Sequence, residues 1–348
     1  MESTALLSTE NQSHAHEAYL LTNETYKRLN SIRLQGWNAP AGDAHFQNRR
    51  AKTLSPNNKA KRYMFEMMQS IAAEMNSKTS AFEFESSAPK VLDLCMAPGG
   101  FLAYFLRMAP DGNADAITLP KTDGGHQIIL PFGDRDERVR VTLADVTMFA
   151  AELGVRNVPN EHPEAGKLRR PWPYSEPSYD LVICDGQALW TQKLADYRQV
   201  GEQSRLFNSQ LVLSLKRVRP GGTIIALLHK SHKWRTFALL QMFSKFSDVE
   251  LFKSKRYHTE KSSFYLVAKN MRSHSDEAAT AMEGFRRSWM RGTFPESCTL
   301  TDGEKDVPNL DVLWNDFGPK FFRLIEPVWE IQAAALENAT WIRAGDTT

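Results

Sequence analysis

Cysteine is scarce: a chain of 348 residues carries only Cys95, Cys184 and Cys298. Widely separated and odd in number, they suit neither a disulfide framework nor a four-cysteine zinc site, and they point to a reducing compartment. No apolar run approaches the roughly 20 residues of a membrane span, and Met1 to Ala15 lacks the apolar centre of a secretory leader. An excess of one charge is also missing: 43 Lys and Arg stand against 41 Asp and Glu, so a nucleic-acid surface has to be a local patch. His229, His232 and His258 do not fall at metal-ligand spacing, and no metal is expected. These absences predict a soluble intracellular protein without a membrane or metal partner.

The length exceeds one typical domain and predicts one main core with appendages. Residues 1–45 are polar, with Tyr19-Leu20-Leu21 as their chief apolar cluster, and are expected to form a mobile or loosely docked extension. After Ser55-Pro56-Asn57-Asn58, an asparagine cap precedes Tyr63, Met64, Met67, Met68 and Ile71 at helical spacing. Strand-like runs at 90–95, 116–119, 139–143, 179–184 and 223–228 then alternate with helical stretches. That alternation predicts an α/β fold, a Rossmann-like doubly wound sheet, over residues 46–270. The proline-rich stretch 152–178 is too long for an ordinary connection and is expected to be a lid or binding loop. Residues 271–348 form a helical appendage whose tryptophans pack a core and whose helix Pro327 is expected to kink or break.

In a doubly wound sheet a ligand sits beyond the carboxyl ends of the strands. Ala97-Pro98-Gly99-Gly100 occupies that position after the strand ending Asp93-Leu94-Cys95. Paired glycines remove the Cβ atoms that hold a backbone away from a ligand, and the amino terminus of the next helix favours a carboxylate.

The run Leu92-Asp93-Leu94-Cys95-Met96-Ala97-Pro98-Gly99-Gly100-Phe101 resembles the S-adenosylmethionine loop of the FtsJ-like ribose 2′-O-methyltransferases. Tyr179-Asp180-Leu181-Val182-Ile183-Cys184-Asp185-Gly186 resembles that family's catalytic-aspartate strand, and 206–211 through Arg219-Pro220-Gly221-Gly222 its next helix and turn. The resemblance implies S-adenosyl-L-methionine as cofactor. Asp93, Cys95 and the loop Ala97, Pro98, Gly99, Gly100 and Phe101 would hold its methionine part, with Leu119, Asp145 and Val146 towards the adenosine and Asp185 at the transfer end. Asp145 also suits a strand-end cap. The second strand ends Leu119-Pro120, without the acidic residue that many such enzymes direct at the ribose.

The family's Lys-Asp-Lys-Glu tetrad deprotonates a ribose hydroxyl as it attacks the sulfonium methyl; burial depresses a lysine pKa and makes the amine a usable base. By the resemblance, Asp185 supplies the aspartate and Lys230 the second lysine, with Lys59, or Lys61 beside it, as the first. The glutamate position holds Ser263, and Glu260 lies three residues before it. Ser263 can hydrogen-bond but supplies no charge.

Basic and aromatic residues cluster at Arg49, Arg50, Lys52, Lys59, Lys61 and Arg62, at Lys230, His232, Lys233, Trp234 and Arg235, and at Lys253, Lys255, Arg256 and Tyr257. Such mixtures suit phosphates and stacked bases, and they equally describe solvated faces. With the resemblance, RNA becomes the expected substrate. The incomplete tetrad leaves two other outcomes open: methylation of a small molecule or protein on the same fold, or a cofactor- or RNA-binding protein without transfer.

Overall fold

The computed structural model describes residues 13–39, 41–45, 47–48, 58–130, 136–175, 178–189, 191–295 and 310–343. Arg49, Arg50, Lys52 and Cys298 lie outside them. Seven strands form one sheet: β1 Lys90–Asp93, β2 Asn113–Thr118, β3 Val139–Leu143, β4 Tyr179–Cys184, β5 Val218–Leu228, β6 Asp248–Phe252 and β7 Phe264–Lys269. Their order is β3-β2-β1-β4-β5-β7-β6, with β7 antiparallel to both of its neighbours and the remaining pairs parallel. The principal helices are α1 Glu24–Asn38, α2 Asn58–Thr79, α3 Gly100–Met108, α4 Glu202–Arg217, α5 Trp234–Phe243, α6 Asp276–Thr293 and α7 Leu310–Glu337.

Parallel strands covered on both faces read as near-continuous apolar runs, as residues 91–92, 181–184 and 224–228 of the central strands do. Val91, Leu181, Ile183, Ile225, Leu227 and Val267 point to one face, where α2 and α3 supply Met68, Ile71, Phe101 and Phe105. Leu92, Val182, Ile224, Ala226 and Leu266 point to the other, against Leu211, Phe237, Trp289 and Trp329 from α4 to α7. The doubly wound sheet is the one expected, and β6 adds a strand that the sequence reading did not mark.

Three expectations about the appendages need correction. The described part of the amino-terminal extension is docked: Leu20, Tyr26, Leu29 and Ile32 are buried in the same core as α7, and the Tyr26 ring lies 5.1 Å from Trp329. Asn23 caps α1 by accepting from the Tyr26 backbone N–H and donates to Glu326. Pro327 does not break its helix: α7 continues through both Pro319 and Pro327, held by buried Phe317, Phe321, Ile325, Val328 and Trp329. The tryptophans are core residues, as expected, Trp329 also donating to Ser231 Oγ at 2.9 Å.

The third correction concerns residues 152–178, which line neither of the cavities described below. Leu168, Trp172 and Tyr174 pack this segment along the β2–β3 side of the sheet. Tyr174 donates to the Ala116 carbonyl and stands 5.5 Å from the Arg140 guanidinium carbon.

His16, only 2% exposed, sits where α1, α5 and α7 meet, its ring 5.5 Å from Trp234, 5.6 Å from Phe237 and 5.3 Å from Trp314. Burial pushes its pKa down to about 4, and burial together with the Arg33 guanidinium pushes His232 down to about 3. Below pH 6.5 the unfolded chain therefore binds protons that the folded chain refuses, so stability is complete above that pH and falls as the pH drops towards 4. Between pH 7.5 and 5 His16 alone should remove about 2 kcal/mol. Urea unfolding at the two pH values checks this: the midpoint falls in the wild type and falls less in His16→Phe, whereas equal slopes in both proteins would contradict it.

Candidate active site

The carboxyl ends of β1, β2, β3 and β4 open onto a cleft of about 690 Å³, within the range of small-molecule sites, about 300–1,000 Å³. Cys95 and Ala97 line it after β1, Thr118 and Leu119 after β2, Asp145 and Val146 after β3, and Asp185, Gly186 and Gln187 after β4. A second cavity of about 100 Å³ adjoins it, lined by Met64, Met68, Ile71, Leu227, Lys253, Ser263 and Tyr265. Asp185 and Gln187 line both.

The glycine loop is shaped as its sequence requires. Gly99 has φ +104°, a conformation that favours glycine, and a Cβ on Gly100 would stand 2.5 Å from Met68 Cβ and 2.6 Å from the Phe65 carbonyl. The glycines thus let α3 close onto α2 and place its amino terminus beside the cleft. The Ala97–Pro98 peptide bond is cis. Phe101 does not line the cleft; it is buried behind the loop, 5.7 Å from the Tyr265 ring.

Asp93, buried at the end of β1, and Asp185, partly exposed just past the end of the adjacent β4, stand side by side. Burial raises the Asp93 pKa to about 8, with the Asp185 charge adding to the effect, against one hydrogen bond from Cys95 N at 3.3 Å. Burial raises Asp185 to about 7, against a hydrogen bond from Tyr265 Oη at 3.1 Å. The same burial keeps the Cys95 and Cys184 thiols protonated.

Asp145 differs. Burial alone would raise it, but the Arg198 and Arg205 guanidiniums and the Thr147 hydrogen bonds outweigh that and hold the carboxyl below its usual range. Its Oδ1 accepts from Thr147 N at 2.9 Å and Oγ1 at 2.7 Å, capping the 3-10 turn Val146–Met148. Its Oδ2 accepts from Arg198 at 2.7 Å and from Gln192 at 3.4 Å. Behind it Arg198 also binds Glu202, and Arg205 binds Thr147 and, through Nε, Thr293 at 2.8 Å. The sequence reading missed this network, because an arginine four residues before a glutamate reads as an ordinary exposed helix pair.

The remaining candidates are spread out. Ser263 lines the smaller cavity. Lys230 is exposed, two residues beyond the end of β5, and enters neither lining; Leu227 is the residue β5 contributes there. Lys59 is exposed and lines neither cavity, while Lys61 lines the larger. The Glu260 carboxylate is turned towards α7's continuation, accepting from Trp341 Nε1 at 3.4 Å and lying 4.0 Å from His45 Nε2. Among the described residues, no cluster of three or more His, Cys, Asp or Glu forms a metal site.

These groups fit S-adenosylmethionine. Its sulfonium and ammonium charges suit the adjacent Asp93 and Asp185, and its carboxylate suits the α3 amino terminus. A bound cation must lower both carboxyl pKa values, so binding near pH 7.5 should release protons, and release should vanish above about pH 9.5, where both are already ionised. Titration calorimetry in buffers of different ionisation heat measures this; binding without proton release at pH 7.5 would contradict it.

Residues 72–271 match the FtsJ-like methyltransferase family. No curated protein sequence matches the chain. Similar solved structures include a putative ribosomal RNA methyltransferase from Plasmodium falciparum, with 16% identity and TM-score 0.37, covering 58% of this chain and 96% of that one. An O-methyltransferase family protein from Burkholderia thailandensis has 13% identity and TM-score 0.35, covering 63% and 61%. Human methyltransferase-like protein 13, in complex with S-adenosylhomocysteine, has 13% identity and TM-score 0.31, covering 72% and 96%. At those scores none of the three carries the argument, which rests on the family match over more than half of the chain. The chain belongs to the FtsJ-like methyltransferase family and is an S-adenosylmethionine-dependent methyltransferase.

Proposed function

We propose that the chain methylates RNA on a ribose 2′-hydroxyl and that Asp185 accepts the hydroxyl proton. The observation that carries this reading is the position of Asp185, partly buried where the two cavities meet and poised near neutrality. The larger cleft takes the cofactor, with Cys95 and Ala97 lining its methionine side, Asp93 and the Pro98 to Gly100 turn behind them outside the lining, and Leu119, Asp145 and Val146 towards the adenosine. The smaller cavity takes the acceptor.

The cofactor supplies a methyl carbon made electrophilic by its sulfonium. As the acceptor oxygen attacks, its proton passes to an Asp185 carboxylate oxygen, and Tyr265 Oη, donating to Oδ1, keeps that carboxylate oriented and partly ionised at neutral pH. Met64, Met67 and Met68 from α2 and Leu227 from β5 exclude water from the acceptor side. Lys61, Lys121, His126, His258 and Lys261 line the cleft and suit phosphates. Lys230, two residues past β5, is exposed and lines neither cavity, so this reading gives the proton to Asp185 rather than to Lys230.

Transfer of label from radioactive S-adenosylmethionine to total cellular RNA tests the reading. Alkali-resistant ribose label is expected from the wild type. It should fall about 10²- to 10⁴-fold in Asp185→Asn, as for loss of a general base, and stay within about two-fold in Lys230→Ala, as for a surface substitution. Label in protein or small molecules and none in RNA would overturn the substrate; full activity in Asp185→Asn would overturn the base.

A further inference from the structure

Lys253 is 4% exposed, the most deeply buried lysine of the described chain, and it lines the acceptor cavity beside Asp185. Its ammonium has three donors and uses all of them on backbone carbonyls: His258 at 3.0 Å, Lys261 at 2.7 Å and Ser263 at 2.9 Å. Those carbonyls belong to the segment between β6 and β7, which folds back over the cavity. The other end of that segment is fastened to α2, where Glu74 accepts from Ser254 Oγ at 2.6 Å and from Lys255 N at 2.8 Å. The loop is therefore stapled at both ends, once to a helix and once onto a buried cation.

What the loop carries is the reason to look at it. His258 and Lys261 line both cavities, as Asp185, Gln187 and the α2 methionines do. A shift of the loop would move the two residues that border the path from cofactor to acceptor, and misplacement by about 1 Å can cost about 100-fold in rate.

We infer that Lys253 is a positioning residue for methyl transfer: its ammonium gathers the carbonyls of His258, Lys261 and Ser263 and so fixes the wall of the acceptor cavity opposite α2. The inference rests on the assignment of that cavity to the acceptor. It gives the site a lysine from β6's end, although not as a base, because an ammonium that donates to three carbonyls holds its proton for structural use. Around it stand Asp185 after β4, His229 after β5, Tyr265 on β7, Glu74 on α2 and Tyr257, His258 and Lys261 on its own loop. Burial, helped by the nearby Lys261 charge, lowers the Lys253 pKa to about 8. Above that pH one carbonyl loses its donor and the wall loosens.

The test compares the full-length wild type with Lys253→Arg, which keeps the charge, and Lys253→Met, which removes it. Each is first checked by thermal melting and by calorimetric cofactor binding, and because His258 and Lys261 of the loop also line the larger cleft, kcat is read at saturating cofactor. With total cellular RNA as acceptor, kcat should fall about 10- to 100-fold in Lys253→Met. The wild-type rate should also decline above about pH 8, and that decline should be absent in Lys253→Arg. Amide exchange over residues 258–263 should accelerate in Lys253→Met, and in the wild type between pH 7 and 9 once corrected for the intrinsic pH dependence.

Unchanged kcat and unchanged exchange in Lys253→Met would overturn the inference, as would a wild-type alkaline decline that persists in Lys253→Arg. Should Lys253→Met fail to fold, the Lys253→Arg pH profile decides. Should the wild type transfer nothing to RNA, the substrate reading fails separately, and the exchange experiment still decides whether Lys253 holds the wall.

Discussion

Two carboxyl groups, Asp93 at the buried end of one strand and Asp185 just past the end of its neighbour, stand side by side, and what surrounds them answers to that placement. Burial of one carboxylate is costly, and burial of two side by side is more so. The chain offers them a backbone N–H and a tyrosine hydroxyl, which leaves both pKa values near or above neutrality in the free protein. A cationic ligand completes such a site. In the proposed reading the sulfonium cofactor of the family does so in the larger cleft, and the group nearer the acceptor is left as a carboxylate able to take a proton.

The rest of the fold keeps that arrangement in place from two directions. On one face α2 and α3 meet closely enough that Gly100 admits no Cβ, and the same α2 supplies the methionines that line both cavities. On the other face, Asp145 is tied through Arg198 and Arg205 to α4, and through Thr147 to Trp289 of α6, whose Nε1 donates to the Thr147 carbonyl at 3.2 Å. The helices beyond the sheet are thereby part of the cofactor side of the cleft. Buried ionic networks of this kind are expensive unless fully bonded, and this one satisfies its arginines with Glu202, Glu164, Thr147 and Thr293.

The strand at Lys90–Asp93, its glycine loop and α3 were legible because a short apolar run, a Pro-Gly-Gly turn and a helical pattern follow one another with no gap. Asp185 was legible for the same reason, at the end of an unbroken apolar strand. The docking of α1 was not, because only one face of it is apolar and its partner Trp329 lies some three hundred positions away. The second lysine of the resemblance was read at a strand end, where Lys230 stands, two residues past β5 and exposed. Lys253 was legible only as one member of a basic run, since its burial depends on three carbonyls that converge only when the segment after β6 folds back.

The central claim is that a partly buried carboxylate near neutrality takes the acceptor proton, and the pH dependence of single-turnover methyl transfer in cofactor-saturated enzyme tests it most directly. Asp185 must be ionised to act, so the rate should rise with pH through an acid limb at or below about 7, the bound cation shifting it down from the free value. In Tyr265→Phe the hydrogen bond that favours the ionised form is lost, and the limb should move to higher pH. A rate independent of pH between 5 and 8, or a limb that stays in place in Tyr265→Phe, would contradict the account.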